Sequence, residues 1–312
     1  MSETEIGIGL AALGRPEYIN IRTDNTIDKS EEAFKQNTLH VLDFAYQKGI
    51  RYFDTAPSYG KGEMFLQEWN SIKKHDDVVL GTKWGYTYVA NWELGYEGKH
   101  EIKEHSLNKL NQQWEVSKNL LPQLKIYQVH SATFESGILK NTDVLNKLND
   151  LKTEFGLQIG ISTSGANQKD IIAEALKIEI NNQPLFNSFQ VTYNVLEQST
   201  FSILKRLKQL NKTIIIKEAL ANGRVFKANV YSTPLKHLSK KYNVGIDALA
   251  LRFVMDNLQP NYVLSGASNT SQLEQNLKAL DFKLTEKDIN TLSHLKTNPE
   301  DYWGERSEMA WN

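Results

Sequence analysis

The stretch Asp54-Thr55-Ala56-Pro57-Ser58-Tyr59-Gly60 directly follows the apolar run Ile50-Arg51-Tyr52-Phe53. A carboxylate therefore ends a predicted strand, and a tyrosine stands five residues further on. A buried tyrosine acts as an acid near neutral pH only if neighbouring cationic and hydrogen-bonding groups lower its pKa from about 10. A lysine and a histidine are therefore expected at the ends of other predicted strands. Lys83 ends the run 78–83, and His130 ends the run 124–130.

Apolar runs alternate with helical patterns along the chain. Ser30, followed by Glu31 and Glu32, predicts the start of a first helix, and Gly49 is expected just past its end. The other predicted helices are 104–120, 140–153, 167–177, 198–210, 234–256, 270–280 and 284–295. The predicted strands are 6–13, 50–53, 78–83, 124–130, 157–162, 185–191, 213–217 and 261–266.

Eight strands that alternate with helices favour an α/β fold of the (β/α)8 TIM barrel type over an open sheet. The length of 312 residues allows either one large barrel or two ordinary domains. Because no Pro/Gly/Ser-rich linker divides the chain, we predict a single domain over 1–312. An extra helix and a tail are expected at about 281–312, and the tail residues Trp303 and Trp311 are more apolar than those of a disordered end.

The composition points to small molecules as partners. The net charge is −1, so we expect no binding to nucleic acid or to a membrane surface. The chain has no cysteine and starts without a basic and apolar leader, which favours a cytoplasmic protein without a targeting segment. No zinc or phosphate-loop motif occurs, and His75, His100 and His105 lack metal-ligand spacing, so we expect no metal site and place these histidines at the surface.

In a parallel barrel the site lies at the carboxyl ends of the strands, where Asp54, Lys83 and His130 each stand. Taken singly, Asp54 could cap the following helix, Lys83 could be a solvated strand end and His130 a core histidine. Together with Tyr59, however, they are the groups that a tyrosine acid requires. The combination favours a catalytic site.

These residues resemble a known family. The pattern Asp54-Thr55-Ala56-x-x-Tyr59-Gly60, then Thr82-Lys83 and Val129-His130, is similar to that of the aldo-keto reductases. Later segments agree with this order along the chain: Gly160-Ile161-Ser162, Gln190-Val191-x-Tyr193-Asn194, and Gly266-Ala267-Ser268 with Gln272, Gln275 and Asn276.

The resemblance implies a barrel that holds an extended nicotinamide dinucleotide and reduces aldehydes or ketones by hydride transfer. It makes Tyr59 the proton donor and Lys83 the cation that lowers its pKa. Asp54 would hold Lys83, and His130 would orient the substrate carbonyl. Hydride arrival leaves negative charge on the carbonyl oxygen, where Tyr59 and His130 would meet it.

For the cofactor, the resemblance assigns Ser162 and Gln190 to the nicotinamide carboxamide and Leu220 to the loop that faces the pyrophosphate. Thr163 stands where an asparagine is common. Lys217 is a larger departure, because many relatives have an aromatic residue there that stacks on the nicotinamide ring.

At the adenine end, the resemblance assigns Gly266, Ser268, Gln272, Gln275 and Asn276. Many relatives place basic residues at the first three of these positions. Because hydroxyl groups and a helix N-terminus can also hold a phosphate, we expect NADP(H) rather than NAD(H).

Several aromatic residues follow Lys83, namely Trp84, Tyr86, Tyr88, Trp92 and Tyr96. A long loop after a barrel strand can shape a substrate pocket, and the tail with Trp303 and Trp311 could close over it. Packing is the more common fate of such residues. We name Trp84 as the substrate-pocket candidate because it adjoins Lys83.

Two other functions are compatible with the same residues. One is an NAD(P)-dependent sugar (aldose) dehydrogenase, which would catalyse the same hydride transfer in the oxidative direction. The other is a regulatory subunit that binds the cofactor and senses redox state through a partner. The complete set of Asp54, Tyr59, Lys83 and His130 favours an enzyme over the regulatory subunit.

Overall fold

A computed structural model of the chain describes residues 4–19, 28–227 and 231–311. Eight parallel strands close into a barrel, in which each strand pairs with the next along the chain and the last pairs with the first. This confirms the predicted (β/α)8 barrel. The barrel strands are β1 Glu5–Gly9, β2 Tyr52–Asp54, β3 Val79–Trp84, β4 Leu124–Ala132, β5 Gln158–Thr163, β6 Ser188–Thr192, β7 Thr213–Lys217 and β8 Tyr262–Ser265.

Helices surround the barrel. The hydroxyl of Ser30 accepts a hydrogen bond from the backbone N–H of Ala33, and Gly49 has a φ of 89° just beyond the helix, so both predicted ends of α1 are confirmed. The helices are α1 Glu31–Gln47, α2 Gly62–Lys73, α3 Leu107–Ser117, α4 Thr142–Phe155, α5 Gln168–Ala175, α6 Phe201–Gln209, α7 Ser232–Tyr242, α8 Ile246–Leu258, α9 Thr270–Leu277, α10 Glu286–Ser293 and α11 Pro299–Ser307.

Some elements were not predicted. The first strand is shorter than expected, because a 3-10 turn at Leu10–Ala12 follows β1. Helix α2 was missed, and so was α11, which begins at Asn298 and Pro299 within the predicted tail. Two short hairpins were also missed, Tyr86–Tyr88 with Glu101–Lys103 and Glu179–Ile180 with Gln183–Pro184. The first lies after β3 and borders the site described below. Between the first predicted strand and the first helix the sequence predicts a polar loop through about Lys29, and part of that loop lies outside the described residues.

The alternation of side chains along the strands determines which residues point into the barrel and towards the site. Tyr52, Ile126 and Ile215 pack together inside the barrel, where Tyr52 stacks on Tyr262 with ring centres 4.2 Å apart. Because side chains two residues apart share a face, the residues that follow Tyr52 and Ile215 on this face are Asp54 and Lys217. The barrel interior therefore changes from apolar to polar towards its carboxyl end. No helix in the described part of the chain is long and apolar enough to cross a membrane.

Candidate active site

The predicted residues Asp54, Tyr59, Lys83 and His130 come together at the carboxyl end of the barrel. Lys83 Nζ lies 2.5 Å from Asp54 Oδ2 and donates to the backbone oxygen of Thr55 at 2.9 Å. The ammonium group lies 4.8 Å from the centre of the Tyr59 ring, and the Tyr59 and His130 rings meet edge to face with centres 5.6 Å apart. The side chains of Lys83 and Asp54 are 0% and 1% exposed. A buried ion pair therefore lies directly beneath the tyrosine.

Neighbouring donors fix the Asp54 carboxylate. Gln190 Nε2 donates to Asp54 Oδ1 at 2.8 Å, and the Tyr52 hydroxyl donates to the same oxygen at 3.3 Å. The other carboxylate oxygen, Oδ2, accepts from Lys83. A buried carboxylate needs such partners to remain charged. Asp54 is thus held in one orientation, and it holds Lys83 in turn.

Tyr59 does not have the lowered pKa that we expected. Burial raises its pKa well above 10, and the Asp54 carboxylate raises it further. The physical reason is that the phenolate would be removed from water beside a negative charge, while the charge of Lys83 is already paired with Asp54. A proton-donating Tyr59 would therefore need further positive charge near its hydroxyl.

His130 is held as a neutral imidazole. Burial lowers its pKa well below 6.5, and the cations Lys83 and Lys217 lower it further. Its Nδ1 lies 3.3 Å from the Ser58 hydroxyl, and its ring is 4.8 Å from the ring of Tyr86, centre to centre. A neutral imidazole can offer one N–H to an oxygen atom in the cavity.

Two histidines that we expected at the surface are buried instead. His105 Nε2 lies 2.9 Å from the backbone oxygen of His130, and burial lowers the pKa of His105 to about 4. His100 stacks on Trp311 with ring centres 4.1 Å apart. The surface prediction was wrong because Trp311 covers the His100 ring, while Trp84 and Tyr86 pack against the His105 ring.

A cavity of about 410 Å³ opens beside Tyr59 and His130 and extends to α9. Of the residues assigned to the cofactor, Ser162, Gln190, Leu220, Gly266, Gln272 and Asn276 line it. Ser268 and Gln275 are not in its wall. The backbone N–H and hydroxyl of Ser268 donate to Gln272 Oε1 at 2.9 and 3.0 Å, and Gln275 is a half-buried residue of α9.

The cavity wall offers a fit for a nicotinamide carboxamide. Gln190 Oε1 is buried and has no hydrogen-bond partner, although Gln190 Nε2 is bonded to Asp54. An unpartnered buried acceptor is costly, so a ligand N–H at this point would satisfy it. Ser162 lines the same wall, and its hydroxyl accepts from the backbone N–H of Ser131 at 2.8 Å. These residues fit the carboxamide assignment.

Lys217 lies in a group of charges at the end of β7. Its Nζ donates to the hydroxyls of Thr192 at 2.8 Å and Ser164 at 3.1 Å, and lies 3.8 Å from Glu218 Oε1. Burial lowers the pKa of Lys217 to about 8. Burial opposes ionisation of Glu218, but Arg306 and Lys217 outweigh it and lower the pKa of Glu218 to about 2.

Trp84 is not in the substrate pocket. Its side chain is 0% exposed and packs in the hydrophobic core, where its ring centre lies 5.6 Å from that of His105. It does not line the cavity. Because alternate strand residues face opposite sides, Lys83 points into the barrel and Trp84 points out of it. Proximity in sequence was the wrong criterion. Tyr86 and Trp311 line the cavity instead, in agreement with the expected roles of the long loop and the tail.

Five charged residues of the cavity wall were missed, namely Arg15, Glu101, Glu218, Asp247 and Arg306. Arg15 bonds to Glu101 at 2.7 Å, and Arg306 bonds to Glu218 at 2.8 Å. Both pairs join distant parts of the chain. The sequence signal that could have found Arg15 is a single arginine directly after the apolar first strand.

The protein-family comparison agrees with this geometry. The model described as "Aldo/keto reductase family" matches residues 5–296. The chain belongs to the aldo/keto reductase family. Among curated relatives, it is 24% identical to "Uncharacterized oxidoreductase YqkF" of Bacillus subtilis (strain 168), over 94% of this chain and 93% of that protein. It is also 23% identical to "Aldo-keto reductase YhdN" of the same organism, over 83% of this chain and 84% of that protein.

Solved aldo-keto reductases share the fold. The aldo-keto reductase AKR11C1 from Bacillus halodurans, in its holo form, superposes with a TM-score of 0.68 at 20% identity, covering 94% of this chain and 92% of that one. The aldo/keto reductase from Klebsiella pneumoniae in complex with NADP and acetate gives a TM-score of 0.67 at 17% identity, covering 94% and 91%. As a member of this family, the aldo/keto reductase described here is an NAD(P)-dependent oxidoreductase that reduces aldehydes or ketones to alcohols.

Proposed function

We propose that Tyr59 is the proton donor of this aldo/keto reductase. The proposal rests on one observation: the side chains at the ends of three strands, Asp54, Lys83 and His130, lie around the Tyr59 ring. The Lys83–Asp54 ion pair lies beneath Tyr59, and His130 lies beside it, at the wall of the cavity. Proton transfer from a positioned side chain contributes about 10² to 10⁴ in rate.

The other three residues support that transfer. Lys83 stabilises the phenolate that remains on Tyr59, and Asp54 keeps Lys83 in place. His130, held neutral, donates an N–H to the substrate oxygen, where negative charge develops. Such donors accelerate the reaction because their bonds strengthen as the charge forms.

The cavity beside Tyr59 would hold the nicotinamide cofactor, which supplies the hydride when bound. Ser162 and the unpartnered oxygen of Gln190 would hold the carboxamide. Leu220 would border the pyrophosphate. At the α9 end, Gly266, Gln272 and Asn276 line the cavity. They would contact the adenosine together with Gln275, which also belongs to α9.

For the cofactor we propose NADP(H) over NAD(H). The hydroxyl of Ser268 lies at the N-terminus of α9, where backbone N–H groups and the helix dipole favour a phosphate. Measured dissociation constants of NADPH and NADH test this choice. Tighter binding of NADPH, weakened by Ser268→Ala, supports it. Equal affinity, or tighter NADH, would contradict it.

The main experiment compares the wild type with Tyr59→Phe. The purified protein is assayed with NADPH and NADH against aldehydes, ketones and free sugars, and with the matching alcohols in the oxidative direction. Tyr59→Phe should lower kcat by about 10² or more while the affinity for NADPH stays the same. Equal turnover of every carbonyl by both proteins would show that Tyr59 is not the acid.

A further inference from the structure

Arg15 is buried next to the proposed acid. Its side chain is 2% exposed and lines the cavity. The guanidinium carbon lies 5.3 Å from the centre of the Tyr59 ring, 4.7 Å from that of Tyr18 and 4.8 Å from that of Trp311. A cation among three aromatic faces is attracted to their electron-rich surfaces.

Hydrogen bonds fix the direction of this guanidinium. Arg15 NH1 donates to the backbone oxygen of Ser58 at 3.1 Å and to Glu101 Oε1 at 2.7 Å, and Nε donates to the backbone oxygen of Ala11 at 3.2 Å. Ser58 directly precedes Tyr59, so Arg15 bonds to the backbone that carries the acid. Glu101 lies in the hairpin after β3 and is 21% exposed.

We propose that Arg15 is a positioning residue for Tyr59, and that its guanidinium is a second cation, besides Lys83, that holds the phenol and stabilises the phenolate left by proton transfer. Glu101 sets the strength of this effect, because its carboxylate offsets part of the Arg15 charge. The inference rests on the proposed role of Tyr59 as proton donor. During reduction, the Tyr59 O–H bond breaks and its proton goes to the carbonyl oxygen, while the carbonyl carbon receives hydride from the reduced nicotinamide.

The charges around Tyr59 show why a second cation matters. Asp54 on β2, Glu101 in the hairpin and Glu218 after β7 all raise the pKa of Tyr59, in addition to burial, whereas Arg15 lowers it. In the described part of the chain, Lys83, His130, Tyr18 and Tyr52 also lie close to Tyr59. Lys83 is paired with Asp54, and His130 is neutral. Arg15 therefore supplies positive charge near Tyr59 in addition to that of the Lys83–Asp54 pair.

The test uses two substitutions with opposite electrostatic effects. Arg15→Met removes the cation and keeps the side-chain length, whereas Glu101→Gln keeps Arg15 and removes the opposing carboxylate. In the oxidative direction the tyrosinate is the base, so the rate rises with pH. The midpoint of that rise should move up by about one pH unit in Arg15→Met and down in Glu101→Gln. Arg15→Lys should restore much of the wild-type midpoint.

A second readout needs no turnover. In protein labelled with ¹³C at the tyrosine Cζ, the Tyr59 resonance is assigned with Tyr59→Phe. It should start to titrate at lower pH in Glu101→Gln than in the wild type, and at higher pH in Arg15→Met. If Arg15→Met does not fold, the comparison of Glu101→Gln and Arg15→Lys with the wild type still decides the question.

The outcomes separate this inference from the proposed function. If Tyr59→Phe turns over carbonyls as the wild type does, the proposed acid is wrong. If Tyr59→Phe is impaired but Arg15→Met and Glu101→Gln leave both the pH midpoint and the Tyr59 resonance unchanged, Arg15 has no positioning role. A loss of rate in both variants without opposite shifts would also overturn the proposal, since it would indicate a structural effect alone.

Discussion

Lys83 Nζ and Asp54 Oδ2 form an ion pair 2.5 Å long in which neither side chain is more than 1% exposed. The two residues come from neighbouring strands, β3 and β2, which pair in parallel. Removing charges from water costs several kcal/mol per ion, and only close pairing with further hydrogen bonds offsets that cost. The bonds from Lys83 to Thr55 and from Gln190 to Asp54 provide them. The pair is therefore sensitive to the loss of either member.

Asp54→Asn should destabilise the protein by about 3 to 5 kcal/mol, because Lys83 would be left as an uncompensated buried charge. Lys83→Met should cost a similar amount by isolating Asp54. The double variant, which removes both charges, should be clearly more stable than the sum of the two losses predicts. Urea unfolding of the four proteins measures the coupling. Strictly additive losses would show that the two charges do not compensate each other.

Arg306 and Glu218 connect α11 to the end of β7 through bonds of 3.0 and 2.8 Å from the guanidinium to Glu218 Oε1. Since the folded-state pKa of Glu218 is about 2, below its ordinary value of 4.5, this carboxylate stabilises the fold above about pH 4.5. That stabilisation is lost as the pH falls towards 2. Arg306→Gln should lower the free energy of unfolding at pH 7 by roughly 1 to 3 kcal/mol. It should also flatten the acid limb, which is the fall of the unfolding free energy as the pH decreases from about 4.5 to 2.

The matched control for that prediction is Arg206→Gln, which makes the same charge change at an exposed position on α6. It should leave both the stability at pH 7 and the acid limb close to those of the wild type. If the two variants have the same pH profile of unfolding, the Arg306–Glu218 contact does not account for the acid limb.

Lys217 gives a second rise of stability with pH, in the alkaline range. Its folded-state pKa of about 8 lies below the ordinary 10.5, so the folded chain carries a buried charge at a cost below pH 8. Stability should rise as the pH increases from about 8 to 10.5, where the folded amine is neutral but the unfolded one is still protonated. In Lys217→Met that rise should shrink by roughly 1 to 3 kcal/mol, as measured by urea unfolding at several pH values. Lys236→Met, at an exposed position on α7, should keep it.

Lys217 also bears on the cofactor, because an aromatic residue stands at its position in many relatives. If the lysine compensates for the missing ring, Lys217→Tyr should bind NADPH at least as tightly as the wild type. Fluorescence titration of NADPH measures this. Markedly weaker binding would show that Lys217 makes a contact of its own with the cofactor.

The sequence was informative wherever a local rule applies. Strand alternation and the rule that barrel sites lie at carboxyl ends were enough to bring Asp54, Lys83 and His130 together. The same alternation rule, applied to Trp84, would have placed that residue on the outer face of β3. The cap at Ser30 and the glycine after α1 are likewise local signals, and both were correct.

The rest depends on contacts between distant residues. Arg15 and Glu101 are separated by 86 positions, and Arg306 and Glu218 by 88, so no spacing in the sequence relates them. The raised pKa of Tyr59 depends on how completely the fold buries the ring and on the carboxylates around it. The cations that the sequence places near Tyr59 do not by themselves show whether burial and carboxylates raise its pKa more than the cations lower it. The short hairpin that carries Glu101 has three residues in each strand, too few for a periodic pattern.

Trp84 and Trp311 should respond differently to substitution, because the first packs in the core and the second lines the cavity. Trp84→Phe should reduce the free energy of unfolding by about 1 to 2 kcal/mol and leave KM for a carbonyl substrate unchanged. The loss is moderate because Trp84 Nε1 is buried without a hydrogen-bond partner, and phenylalanine removes that polar group. Trp311→Ala should change KM with little effect on stability. A change in KM for Trp84→Phe without a loss of stability would show that Trp84 belongs to the substrate pocket after all.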